Sequence, residues 1–256
     1  MRTKKLALDE QIAFAKQAHR EKTHERLMHR KSGGQYIKDI VLGANDGIIT
    51  TFAVVSGVTG ADLSSAVVLI LGVANLLADA ISMAIGNYLG SKSEEEYLRS
   101  QRKLEEWEVQ HLPEEEIEEI RDIYRNKGFE GSELDRVVEV ITSNQKLWVD
   151  VMLREELRLA DAEEISPIKS GLSTFVSFVL AGVLPLLPYL FSVLAAQAFQ
   201  ASMLMTGLAL FGVGAARTFI TRQSWWRSGL GMLGVGALAA AVAYGVGYFL
   251  KSLIGI

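Results

Sequence analysis

Two glutamate pairs with three-residue spacing, Glu105 with Glu108 and Glu116 with Glu119, are followed by Met152 and Glu156 four residues apart. Residues three or four apart share one face of an α-helix, so each pair presents two ligand atoms in one direction. Carboxylates about 6 Å apart repel by on the order of 3 kcal/mol at an effective dielectric near 20, so gathering several of them requires protons or cations. Oxygen ligands with a thioether suit Fe2+ or Mn2+, tolerate Zn2+ or Co2+, and give Ca2+ and Mg2+ no advantage from the sulfur. The chain contains no cysteine, which excludes disulfides, thiolate zinc sites and cysteine-held iron–sulfur clusters. A single Glu-x-x-Glu pair is by itself the ordinary pattern of a solvated acidic face. The thioether beside Glu156 carries the metal reading.

A second set lies in apolar surroundings. Asp46 and Asp79 fall inside hydrophobic stretches, where a charged Asp at mid-bilayer costs from about 3 kcal/mol upward and usually lines a path. Asn75, Asp79 and Met83 recur every four positions, a slanted polar stripe ending in a thioether. Asn45, Asp46, Thr50 and Thr51 form a polar patch on a separate segment, where Gly43 and Gly47 make a small-x-x-x-small pair permitting close helix contact. No Lys or Arg lies within the hydrophobic stretches at similar depth. Protons and a dication compete for a desolvated carboxylate, which is the simplest basis for exchanging one against the other.

Hydropathy defines the elements that must position these residues. Hydrophobic content is 49% and mean hydropathy +0.21, high for a soluble globule. A helix needs roughly 20 mostly apolar residues to cross hydrocarbon, and stretches near Ile37–Val58, Ser64–Gly90, Ile168–Leu190, Leu194–Ile220 and Gly229–Leu253 qualify. Pro185 and Pro188 kink or break the third, and the Gly and Ala of the fourth and fifth let neighbours approach closely. Lys and Arg gather on the cytoplasmic side. Ten lie in residues 1–38, Lys92 and Arg99 open the insert, and Arg217, Arg222 and Arg227 flank the fourth-to-fifth connection. The connections 59–63 and 191–193 have none. The pattern fits five spans, an inside amino terminus and an outside carboxyl terminus.

The expected fold class is therefore an all-α membrane protein of five transmembrane helices, with a three-helix cytosolic insert between the second and third. The expected segments are an N-terminal helix in 1–36, pore-lining spans in 37–90, a metal-binding domain in 91–167 and the last three spans in 168–256. Between Ser91 and Ser166, 22 acidic side chains face 11 basic ones, an excess of 11 negative charges. The second span runs on as a polar helix through Gln110 until Leu112-Pro113 ends it. A short helix follows from Glu114 to Asn126, and Ser132 caps a third running to Leu159. Ile117, Ile120, Val137, Val140, Ile141 and Leu147 supply its core. Residues 5–30 have the pattern of a helix lying along the membrane surface, and His19, His24 and His29, five apart, do not stack on one face of it.

The stretches Val41-Leu-Gly-Ala-Asn-Asp-Gly-Ile-Ile-Thr-Thr51 and Ala78-Asp-Ala-Ile-Ser-Met-Ala-Ile-Gly-Asn-Tyr-Leu89, with the acidic insert after them, resemble the vacuolar iron transporter family. The likeness runs from about Tyr36 to the carboxyl end. It implies a homodimer whose pore follows the two-fold axis between the first two helices of each subunit, with ferrous iron leaving the cytosol against protons. It places Asp46 at the family's pore carboxylate and Met83 at its pore thioether. Glu105, Glu108, Glu116, Glu119, Met152 and Glu156 fall on its cytosolic metal-binding positions. One position departs: the family pattern has a carboxylate one turn before Asp79, where this chain has Asn75, which weakens proton coupling.

The expected activity is export of Fe2+, and of Mn2+ with it, by proton antiport rather than an enzymatic reaction. Zn2+ and Co2+ are further candidate substrates, the bilayer and a second copy are the expected partners, and no nucleic acid is expected. A carboxylate-bridged iron oxidase or store would need Glu-x-x-His on two helices, and Glu108 with His111 supplies one. A divalent-cation sensor is the other alternative. The charged first 36 residues lack the apolar core of a secretory signal, which fits a prokaryotic plasma membrane and leaves a vacuolar membrane open.

Overall fold

A computed structural model describes residues 36–159, 166–191, 197–221 and 224–255. The surface helix expected over 5–30, with its three histidines, lies outside the described residues. The described elements are helical: α1 Ile37–Gly60, α2 Ser65–His111, α3 Pro113–Asn126, α4 Gly131–Thr142, α5 Gln145–Glu155, α6 Pro167–Gly182, a 3-10 turn Leu184–Leu186, α7 Leu187–Leu190, α8 Ala198–Thr221 and α9 Trp225–Ile254. Five spans are long and apolar enough to cross a membrane: Ile37–Gly60, Ser65–His111, Pro167–Leu190, Ala198–Thr218 and Trp225–Ile254. The chain divides into two compact units, Asn87–Ile168 and the residues on either side of it.

In the membrane unit, glycines set how the helices pack. A Cβ on Gly43 would lie 2.6 Å from the Thr174 carbonyl oxygen, and Gly47 abuts Phe178. These contacts descend together along both helices, so α1 and α6 run the same way. Gly72 meets Leu186 while Leu76 meets Gly182, so α2 opposes α6. Gly247 packs on Gly57 and Gly236 approaches Ile49, which aligns α9 with α1; Gly214 against Ser228 and Gly236 against Leu210 run α8 the other way. Successive spans thus alternate in direction, as repeated membrane crossings require. The apolar core gathers Phe52, Val55, Val58, Val68, Leu76, Ala80, Phe178 and Leu186. At the end where α1 and α9 finish, Lys251 donates to Asp62 at 2.8 Å. The third span breaks at its prolines as expected, and Ser202 donates to the Pro185 carbonyl within that break at 2.6 Å.

The insert unit differs from the three-helix expectation. α2 does continue as a polar helix, to His111, and Pro113 opens α3. The third expected helix is two, because the chain breaks at Ser143-Asn144. The Asn144 side chain accepts from Leu147 N at 3.1 Å and starts α5 afresh. Ser132 is not a cap: it lies inside α4, whose N-cap Glu130 makes no side-chain cap hydrogen bond. Val140, off the buried face of α4, and Leu147, after the break, were expected inside and are exposed, while Leu134, Val138, Trp148 and Val149 join Ile120 and Ile141 in the core.

Candidate metal centre

Three helical faces of the insert meet on one apolar floor. Glu105 lies one turn before Val109 on α2, Glu116 one turn before Ile120 on α3, and Trp148 one turn before Met152 on α5. Val109, Ile120, Trp148 and Met152 belong to a single buried cluster. That packing carries the two glutamates inward with it. Glu105 is 3% exposed, Glu116 5% and Met152 0%. Glu108 is half-buried, whereas Glu119 and Glu156 open to solvent. Arg102 holds Asp150 at 2.5 Å and Arg121 holds Asp135 at 2.6 Å, tying α2 to α5 and α3 to α4 outside the acidic group.

The two buried carboxyls are electrostatically unsettled. Burial, then the charges of Glu156, Glu116, Glu108 and Glu119, push Glu105 up to about 7. Burial, then Glu119, Glu108 and Glu156, push Glu116 up to about 7. Glu156 is raised as well, by desolvation first and then by Glu119 and Glu108. One oxygen of Glu105 and one of Glu116 are enclosed with no hydrogen-bond partner, and leaving such a group unmet costs about 1–3 kcal/mol or more. The five carboxyls therefore share one neighbourhood, and Met152 belongs to the apolar cluster one turn along from Glu105 and Glu116. Among the described residues, however, no three acidic or imidazole groups are drawn close enough to hold an ion together.

The membrane unit places the second set separately. Asp46 on α1 and Asp79 on α2 are each half-buried and near enough for their charges to interact. Asn75 donates to Asp79 at 2.6 Å, so the stripe read from the sequence is an interacting pair. Met83, the next residue of that stripe, is partly buried against the apolar core. Asn45, Thr51 and Ser56 on α1 each carry an enclosed oxygen without a hydrogen-bond partner, extending the polar patch along that helix. His111 offers no second imidazole-carboxylate set: its ring is exposed, stacks on Trp107 at 4.6 Å and contacts the Trp107 carbonyl at 2.8 Å.

Residues 37–248 match the pattern of the VIT family. The chain belongs to that family. It is similar to the vacuolar iron transporter of Toxoplasma gondii, 37% identical over 89% of this chain and 78% of that one. It is also similar to vacuolar iron transporter 1 of Arabidopsis thaliana, 36% identical over 83% and 85% of the two chains. The vacuolar iron transporter of Plasmodium berghei is 34% identical over 89% and 86%. The match runs from the start of α1 through the whole insert and into α9, up to residue 248.

Sequence reasoning missed Trp148. Its indole nitrogen is buried without a partner in the floor beneath the acidic group, and the missed chain break hid its inward face. The four-residue spacing of Trp148, Met152 and Glu156 was the available signal.

Proposed function

We propose that the chain carries Fe2+ across a membrane, with Mn2+ as a second substrate, and exchanges it for protons. The observation that carries this reading is the pair of enclosed, unpartnered carboxylate oxygens on Glu105 and Glu116 beside the buried Met152 thioether. Groups so placed are held at a cost to the fold, and a dication with affinity for both oxygen and sulfur relieves it. The relatives' names supply iron as cargo. In this reading Glu105, Glu108, Glu116, Glu119, Met152 and Glu156 collect the ion on the cytosolic side, and Asp46, Asp79 and Met83 pass it through the membrane, with Asn75 orienting Asp79. Two copies pair through α1 and α2, so that Asp46 of each faces the path. Zn2+ and Co2+ are poorer substrates. The relatives' names support a vacuolar membrane, and the expected prokaryotic plasma membrane finds no support in them.

The test is uptake of Fe2+, Mn2+, Co2+ and Zn2+ into proteoliposomes with and without a pH gradient. Fe2+ and Mn2+ flux that rises when the receiving compartment is acidic supports the proposal. Flux indifferent to the gradient removes the antiport, and absence of flux removes transport.

A further inference from the structure

We propose that the groove between α1 and α6 binds a membrane lipid with an anionic headgroup, its acyl chain along the groove and its headgroup on Lys169. The groove, about 600 Å³, lies between Ile40 and Ala44 on one helix and Leu172, Val176, Leu180 and Ala181 on the other. It exists because Gly43 and Gly47 let the two backbones close at its floor while Ile40, Leu172, Val176 and Leu180 stand exposed along its sides. The Ser177 hydroxyl in its wall donates to the Ser173 carbonyl at 2.7 Å. That leaves the wall with little demand for a polar guest.

Its length and its charged end point to the occupant. From Leu172 to Ala181 is nine residues, about 14 Å of helix at 1.5 Å per residue, and half of a hydrocarbon core of roughly 30 Å is about 15 Å. The groove is one leaflet deep. Lys169 continues the same stripe, three residues before Leu172, and is exposed. The parallel packing of α1 on α6 brings the first turn of α1 to the same end, where Lys38, two positions from Ile40 and so about 200° around the helix, faces away from the groove. Both helices begin there, and the partial positive charge of the amino terminus of α6 adds to that of Lys169, while Asp39 in the first turn of α1 offsets that of α1. α9, aligned with α1, starts at this level with exposed Trp225 and Trp226, and Arg227 lies 5.2 Å over the Trp226 ring. Trp and basic side chains mark the headgroup layer. Ala44 and Asp46 are two positions apart, about 200° around the helix, so the groove opens away from Asp46 and a lipid there does not occupy the ion path.

The test is native mass spectrometry of the full chain in detergent with added dioleoyl-phosphatidylglycerol or dioleoyl-phosphatidylcholine. Bound phosphatidylglycerol should exceed phosphatidylcholine. Lys169→Gln should cut that preference about 5-fold, the effect of one basic residue near an anionic surface, and Lys38→Gln, off the groove, should cut it much less. Val176→Trp, at an exposed position that fills the groove, should reduce adducts of both lipids while leaving the preference between them. An unchanged preference in the Lys169→Gln variant overturns the proposal. So does a Val176→Trp variant that alters oligomer mass without altering lipid adducts, which assigns the groove to a second copy. Adducts that appear only after removal of residues 1–30 assign it to the chain's own amino-terminal segment and overturn the proposal equally.

Discussion

Glu105→Gln replaces a carboxyl that loses its proton near 7 with a neutral amide of nearly the same shape. Moving a carboxyl from its model value of 4.5 to about 7 destabilises the folded insert by about 3 kcal/mol once the group is ionised, at 1.36 kcal/mol per tenfold change in proton affinity. The folded state binds this proton more tightly than the unfolded chain does. The group therefore costs nothing below about pH 4.5, stability falls as pH rises from there to about 7, and the full cost persists above. The buried amide has unmet hydrogen bonds of its own at every pH, so the deciding quantity is a difference. Relative to wild type, Glu105→Gln should be about 2.5 kcal/mol more favourable at pH 8.5 than at pH 5, where a part of the cost is already present. Hydrogen exchange of the full protein with chelator present, followed in peptides from 113–155 and corrected for intrinsic rates, reads this locally. Added Mn2+ should protect those peptides in wild type and much less in the variant. An equal effect of the substitution at both pH values, or a variant less stable at pH 8.5, refutes the reasoning.

Binding of Mn2+ to the insert at pH 7 should release about one proton per ion, because Glu105 and Glu116, both near 7, are each about half protonated there. Release should approach two protons at pH 5.5 and vanish above pH 9, as read by calorimetry in buffers of differing ionisation enthalpy. Met152→Leu conserves volume and should cost less than about 1.5 kcal/mol of stability, yet lose the preference for Fe2+ over Mg2+ in competition binding. Gly47→Ala forces a methyl onto the Phe178 backbone and should lower stability by about 1–3 kcal/mol, read as thermal aggregation in detergent, with Mn2+ affinity of the insert unchanged.

Where a single side chain dictates the backbone, the sequence was readable. Leu112-Pro113 ends α2 because a proline cannot follow in the helix without losing a hydrogen bond, and Pro185 and Pro188 break the third span for the same reason. Gly43 and Gly47 announced a close helix contact, although spacing alone did not say that α6 is the partner. The interruption at Ser143-Asn144 was hidden because apolar residues continue on both sides at nearly helical spacing. Ser132 and Asn144 are equally good caps on paper, but Ser132 falls inside α4 while Asn144 accepts from Leu147 N and starts α5. Leu147 was misplaced as a consequence, since its face depends on where α5 begins, whereas Val140, before the break, lies off the Leu134, Val138 and Ile141 face of α4.

For the acidic group, the pairing of residues was legible and the burial was not. Glu105 and Glu116 are inside because Val109 and Ile120 one turn on are inside, a fact about three packed helices rather than about any one of them. Spacing gave no hint that Glu119 and Glu156 would stay open to solvent. The Asn75-to-Asp79 hydrogen bond followed from four-residue spacing once the segment was helical.

The most direct test compares wild type with Asp46→Asn in one proteoliposome preparation, measuring Fe2+ flux into an acidic lumen alongside Fe2+ bound by the insert. The account predicts that the variant binds Fe2+ as wild type does and passes almost none. Undiminished flux through Asp46→Asn would contradict it.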